Sequence, residues 1–388
     1  MTLGLYLHVP FCKHHCPYCD FYVLELRDRS SRERLEYPGL LAREHLLLLD
    51  AEAGLAARPL ETIYFGGGTP STLRPADVAE LIALLRSRHP ASPAEPEVTL
   101  EANPENLTPE RAAKWRAAGI DRLSIGVQSF AERDLARLER LHAPETIHRA
   151  VANARAAGFG NLSLDLMFAL PGQDMAAWRE NLRAAVALAP EHVSFYGLTL
   201  HEGTPFHREA EAGVLTLPKD DEQAEMYLWG SEFLRGAGFE HYEISNFARP
   251  GFRSRHNQRY WTRADVVGCG PGAHSSLGAR RWSVPEDLTG WQQALAADAL
   301  YRTAPEELSP EVAMEEALFC GLRREEGFRE GESPAAERFF SWLDSPAGKA
   351  AVREGFVVRE GEVARLTPRG WLVSDGLLLA ILKANSRT

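Results

Sequence analysis

Three cysteines within eight residues, Cys12, Cys16 and Cys19, are the groups in this chain best placed to do chemistry. Their spacing, C-x3-C-x2-C, offers three thiolates from one short loop, and thiolate is the ligand of iron–sulfur clusters and of zinc. A cubane [4Fe-4S] cluster takes four thiolates, so a set of three leaves one iron with an open position that a ligand can chelate. The competing reading is a structural zinc ion completed by His8, His14 or His15. The chain has five cysteines in 388 residues, an odd number with three of them clustered, which is not a disulfide framework.

Other groups of the right type follow at intervals. Gly66-Gly67-Gly68-Thr69-Pro70 lets the backbone approach a ligand and could offer its N–H groups to a carboxylate, or it is a plain tight turn. Glu101 and Asp165 end apolar runs where an uncharged residue would be cheaper to bury, and each can accept from a cationic amine or from ribose hydroxyls. Arg140 shares helical spacing with Arg133 and Arg137, so a solvated helix face competes with a ligand contact. Cys269 and Cys320 read as small buried hydrophobes rather than ligands.

The elements that must position these residues follow from the pattern around them. With 45% hydrophobic and 25% charged residues, the composition is that of an ordinary globular protein. From residue 3 to about 200, β-rich runs alternate with helical stretches, the pattern of parallel strands joined by helical crossovers. The predicted strands are 3–8, 62–65, 97–101, 122–127, 162–166 and 192–198. Six units are too few for a closed eight-stranded barrel, so the expected fold class is α/β, a partial TIM-like barrel of about six strands. Function in such folds collects at the carboxyl ends of the strands, where the cysteine loop, the glycine run, Glu101, Gln128 and Asp165 all fall.

The domain reading is a barrel core over 1–200, a barrel-closing extension over 201–305, and a C-terminal winged-helix-like domain over 306–388. The last rests on helices at 311–322 and 334–343 followed by a β pair at 356–359 and 363–366. The apolar stretch from Trp371 to Leu382 is too short to span a membrane; it reads as a core helix, with a peripheral membrane contact as the alternative. A formal net charge of −11 argues against a nucleic-acid partner. The first residues read as a strand rather than a signal peptide, and the expected location is the cytoplasm.

Taken with the cysteine triad, several runs resemble one family. They are Tyr6-Leu7-His8-Val9-Pro10-Phe11-Cys12, the glycine run, Gly126-Val127-Gln128-Ser129-Phe130 and Asp165 through Gly172. Together they resemble the radical S-adenosylmethionine (radical SAM) family of oxygen-independent coproporphyrinogen oxidases and HemW-type haem chaperones, over nearly the whole chain. The resemblance implies a [4Fe-4S] cluster on Cys12, Cys16 and Cys19 whose open iron chelates SAM. It also implies SAM contacts from Tyr6, Tyr18, Gly67, Gly68, Thr69, Glu101, Gln128, Arg140, Asp165, Thr199 and Ala273.

Within that family the residues separate an oxidase from a haem carrier. The oxidases carry a fourth cysteine two residues after the triad, where this chain has Phe21, and an extension ahead of the first strand, whereas this chain enters the motif at Tyr6. His256-Asn257-Gln258-Arg259-Tyr260-Trp261 is similar to the HNxxYW motif of the chaperone branch. Histidine is the ordinary axial ligand of haem iron and tyrosine a rarer one, which makes His256 and Tyr260 candidates; the plain alternative is a hydrogen-bonded structural histidine. Arg253, Arg255 and Arg259 could pair with haem propionates or be solvated, while His201, His207 and His241 have no such motif behind them. The resemblance thus implies a carrier with haem as cargo and haemoproteins as acceptors. A coproporphyrinogen III oxidase is the alternative, and a radical SAM enzyme of another small molecule a third reading.

Overall fold

The computed structural model describes residues 2–92 and 94–384. Along each of the six strands of the sequence pattern, residues alternate between aliphatic and polar, and the two sets go to opposite faces. Strands β1 (Leu3–Val9), β4 (Leu60–Gly67), β5 (Glu97–Ala102), β6 (Arg122–Gln128), β7 (Leu162–Phe168) and β8 (His192–Gly197) turn Leu5, Ile63, Leu100, Ile125, Leu164 and Phe195 outward into a continuous apolar core. That core is shared with helices α1 (Ser31–Ala51), α2 (Pro75–Ser87), α3 (Pro109–Ala117), α5 (Pro144–Ala156) and α6 (Met175–Ala187), while α4 (Glu132–Arg137) lies after β6. The inward positions are polar and line a cavity. Neighbouring strands are parallel throughout, in the order β1-β4-β5-β6-β7-β8.

Two short strands, β2 (Phe11–Cys12) and β3 (Leu24–Glu25), pair in parallel and tie the base of the cysteine loop, with Cys12 opposite Glu25. The region after residue 200 does more than close one side of the barrel. It extends the sheet at both edges: β11 (Val266–Cys269) adds in parallel to β1, and β10 (Asn246–Ala248) adds antiparallel to β8. With β9 (Glu240–Glu243), β12 (His274–Leu277), β13 (Arg280–Ser283) and β14 (Glu306–Glu307) the sheet reaches twelve strands and stays open, its outermost strands β14 and β9 unpaired with each other. Helices α7 (Pro205–Glu211), α8 (Asp220–Gly236), α9 (Arg255–Trp261) and α10 (Leu288–Ala296) lie between these additions.

The C-terminal stretch contains α11 (Pro310–Gly321), α12 (Pro334–Leu343), α13 (Pro346–Arg353) and a small sheet ordered β15 (Phe328–Arg329), β17 (Val363–Leu366), β16 (Val357–Glu360). The apolar run near the end is two helices, α14 (Pro368–Trp371) and α15 (Ser374–Ala384). Trp371 is buried and donates its indole N–H to the Leu322 carbonyl (2.9 Å), whereas Leu379 is exposed. Six helices, α3, α7, α11, α12, α13 and α14, open on Ser-Pro or Thr-Pro. In each, the hydroxyl accepts from the amide three residues on, and the proline takes a position whose N–H would have no partner. Among the described residues no helix is long and apolar enough to cross a membrane.

Candidate functional site

The inward-facing polar residues enclose a cavity of about 540 Å³, opening at the carboxyl ends of the strands and within the roughly 300–1,000 Å³ usual for a small-molecule site. Cys12, Cys16 and Cys19 line its mouth. The Cys19 amide donates to the Cys16 carbonyl (3.1 Å), the His15 amide to Glu25 (2.9 Å), and Cys12 Sγ lies 3.1 Å from the Thr69 hydroxyl. Burial first, then the neighbouring thiols, pushes Cys12 up to about 12 and Cys19 up to about 11. Such thiols ionise on meeting a cationic metal centre.

The zinc alternative finds no built site. His8 is bonded to Tyr6 and the Tyr22 carbonyl, His14 to Glu139, and His15 to the Cys19 carbonyl. Among the described residues no three His, Cys, Asp or Glu side chains converge as a single ion requires. A cubane sets its thiolates apart by the width of the cluster, and three thiols around one mouth fit that demand.

Arg140 settles against the solvated-face reading. Helix α4 ends before it, Glu139 takes a left-handed φ of 53°, and the chain turns Arg140 inward. Its guanidinium donates to Asn103 (2.6 Å) and the Gly126 carbonyl (3.1 Å) and reaches Cys16 Sγ at 3.6 Å. Burial alone would lower it, but Tyr18 and Cys16 outweigh that and hold it firmly charged. Arg133 stays exposed, and Arg137 pairs with Glu209.

The glycine run serves packing rather than amide donation. The Gly67 amide is taken by Glu101 (3.2 Å) and that of Gly68 by the Val9 carbonyl (2.9 Å), which corrects the expectation that these N–H groups are open to ligand. A Cβ on Gly68 would lie 2.8 Å from the Pro10 carbonyl oxygen and 3.1 Å from Cys12 Sγ, so the glycine lets the cysteine loop sit down on β4. Glu101 also accepts from Tyr64 (2.8 Å); burial, with the charge of Asp165 adding, raises its carboxyl to about 7. Asp165 accepts from Ser124 (2.8 Å) and Ser163 (3.0 Å) and is likewise raised by burial. Gln128 stands at a bulge between β6 and β7 with φ 65°, a strained conformation that turns it into the cavity.

Nine of the eleven residues expected around SAM line this one cavity: Tyr18, Gly67, Gly68, Thr69, Glu101, Gln128, Arg140, Asp165 and Thr199. Tyr6 and Ala273 do not. Tyr6 spends its hydroxyl on His8, and Ala273 is fully buried in the turn between β11 and β12. Phe21 lies at the mouth, 61% exposed.

The haem candidates require a larger correction. Helix α9 crosses the amino-terminal end of the barrel, and His256 is fully buried there. Its Nδ1 is bonded to Thr62 (2.7 Å), its Nε2 to Tyr260 (3.0 Å), and its ring stacks on Tyr64. With both nitrogens engaged, this imidazole offers nothing to an iron. Thr62 and Gly67 lie five residues apart on one strand, ~16 Å at 3.3 Å per residue, so the motif and the cysteine loop mark opposite ends of the barrel. The arginines are also committed: Arg253 to Glu240, Glu325 and Glu326, Arg255 to Glu61, and Arg259 to Glu61 and the Asp265 carbonyl. Tyr260 remains 45% exposed.

Sequence reasoning gave no site role to several polar residues of the lining: Tyr64, Asn103, Arg122, Ser124, His192, Ser194, Ser254 at the start of α9 and Asn257 on it. The signal was present as polar residues every second position, as in Arg122-Ser124-Gly126-Gln128 and His192-Ser194-Tyr196.

An open α/β barrel carrying three cysteines on the loop after its first strand, above a polar cavity, defines a radical SAM protein, and the Radical SAM superfamily profile matches residues 6–185. The chain is 36% identical over 384 residues to the heme chaperone HemW of Mycobacterium tuberculosis (strain ATCC 25618 / H37Rv), covering 98% of this chain and 94% of that protein. It is 32% identical over 380 residues to HemW of Bacillus subtilis (strain 168), covering 97% and 98%. Its fold is similar to that of coproporphyrinogen III oxidase (HemN) from Escherichia coli, with a TM-score of 0.78 and 23% identity over 98% of this chain and 90% of that one. The chain belongs to the HemW family of the radical SAM superfamily.

Proposed function

We propose that this protein is a haem chaperone: it holds a [4Fe-4S] cluster and SAM in the barrel cavity, binds haem, and delivers it to acceptor haemoproteins in the cytoplasm. The observation that carries this reading is the relationship over almost the entire length to proteins named heme chaperones. An exposed Phe21 in the place of the oxidases' fourth cysteine supports it.

In this reading Cys12, Cys16 and Cys19 each hold one iron. The Thr69 hydroxyl lies against the Cys12 sulfur, Arg140 reaches the Cys16 sulfur, and Glu101 and Asp165 would accept hydrogen bonds from SAM. When bound, a reduced cluster would supply one electron for reductive cleavage of SAM. Haem contact passes from His256 to Tyr260, which is 45% exposed and whose hydroxyl is held 3.0 Å from His256 Nε2; tyrosinate is an established axial ligand of haem iron.

The test is an anaerobic haem titration of the cluster-loaded chain, followed by haem transfer to an apo-haemoprotein. The wild type is expected to shift the Soret band, and Tyr260→Phe to weaken haem binding by about tenfold or more. No Soret shift in the wild type overturns the chaperone reading, and an unchanged one in Tyr260→Phe overturns the ligand assignment. SAM-dependent decarboxylation of coproporphyrinogen III would put the oxidase in its place.

A further inference from the structure

Three arginines in the described chain are less than a tenth exposed, and two of them, Arg259 and Arg323, pair with the carboxylates of Glu61 and Asp375. The third, Arg122, is 2% exposed and pairs with no carboxylate among the described residues. Its hydrogen bonds run from Nη1 alone, to Asn161 Oδ1 (2.7 Å) and the Phe252 carbonyl (3.5 Å). Nε and Nη2 have no acceptor among the described residues, and the side chain lines the deep end of the cavity. A buried guanidinium with two nitrogens unbonded and no ion pair is costly, and a fold that keeps one at the wall of a cavity is prepared for an anion from outside.

The surroundings suit that role. Asp165 accepts from Ser124 and Ser163 and lies close enough to feel the Arg122 charge, but not at ion-pair distance. His192 is bonded at both nitrogens, to Ser163 and Tyr242 (2.8 Å each), and burial, with Arg122 nearby, keeps it neutral, so it neither competes for nor repels an anion. Ser194 and Asn257 share the lining.

We infer that the deep end of the cavity is an oxyanion subsite, in which Arg122 forks onto the carboxylate or phosphate of a compact ligand, flanked by Ser194 and Asn257 and lying beneath the SAM contacts. The planar guanidinium is the geometry for two-point recognition of such groups. This subsite is independent of the haem reading, since it uses neither the cysteines nor Tyr260.

The experiment uses the full, cluster-loaded chain saturated with SAM. Sodium acetate is titrated in one arm and inorganic phosphate in the other, each against sodium chloride at matched ionic strength, with the unfolding midpoint as readout. A saturable rise in one or both arms, absent with chloride, is expected, and the stronger arm identifies the class of anion. Arg122→Gln should weaken that binding at least tenfold while SAM affinity stays within about threefold. Asn257→Leu narrows the same space without touching the Asn161 contact, so it decides the matter if Arg122→Gln fails to fold. Equal shifts with chloride, or binding unaffected by both variants, overturns the subsite and leaves Arg122 as a counter-charge for Asp165. Loss of anion binding once SAM is present overturns it as well.

Discussion

At the residue scale, a carboxyl matters here through its surroundings more than its type. Glu101 is held at about 7 by burial first and by Asp165 second, against hydrogen bonds from Tyr64 and Gly67 that pull the other way. As an acceptor for SAM it works ionised, so binding must release its proton whenever the empty site is protonated. SAM affinity of the cluster-loaded chain should therefore rise as pH passes from 6 to 8. In Glu101→Gln the affinity should be lower by about tenfold or more, and the part of the slope centred near 7 should vanish. Equilibrium binding across that range checks this, and an identical pH profile in the variant would remove Glu101 from the SAM site.

At the element scale, the connection between β1 and β4 governs the cluster site. The cysteine loop lies on Gly68, where an added Cβ meets the Pro10 carbonyl at 2.8 Å. Backbone cannot swing aside as a flexible side chain does, so Gly68→Ala should lower stability by roughly 1–3 kcal/mol and displace Cys12. Denaturant unfolding of the apo chain and iron content after reconstitution measure the two effects; wild-type values for both would show that the loop does not depend on this contact. Helix α9 gives a second case. His256→Ala would orphan the Thr62 and Tyr260 hydroxyls and open a void under Tyr64, for a loss of about 2–4 kcal/mol in denaturant unfolding. An unchanged midpoint would contradict the structural role given to this histidine.

At the scale of the whole molecule, buried ionisable groups set the pH range of stability. Burial pushes His8 and His142 down to about 4, His45, His241 and His256 down to about 3, and His192 well down too. Unfolded, these six take up protons below about 6.5 that the fold refuses, so their stabilisation is lost as pH falls through that range. Glu44, Glu101 and Glu243 are raised by burial to about 7 and act in the opposite sense. They favour the fold below about 4.5 and withdraw that favour as pH rises through 7. Between 4.5 and 6.5 the histidines, with His89 also lowered by burial, outnumber the raised carboxyls by a margin that Asp121, Asp165 and Glu325 narrow, and unfolding takes up protons on balance. The apo chain should be most stable between about pH 6 and 7, with the steeper loss on the acid side. Thermal unfolding from pH 5 to 8 tests this, and Glu243→Gln should flatten the alkaline limb. A midpoint still climbing at pH 8 would mean that these carboxyls are not buried as described.

Features that depend on local order are legible in the sequence alone. The triad spacing, the six strands and the helices opening on Ser-Pro or Thr-Pro are written in neighbouring residues, and hydrophobic alternation gives strands whether or not their partners are known. The motif around His256 was equally visible, but its role was not, because burial is a property of what packs against a side chain. Packing in three dimensions is what places Thr62 and Tyr260 on both nitrogens of His256, turns Arg140 inward past Glu139, and extends the sheet at both edges after residue 200. The same is true of Arg122, an ordinary arginine at the start of a strand until β6, β7 and β8 curve it into a cavity where it makes no ion pair with a carboxylate of the described residues.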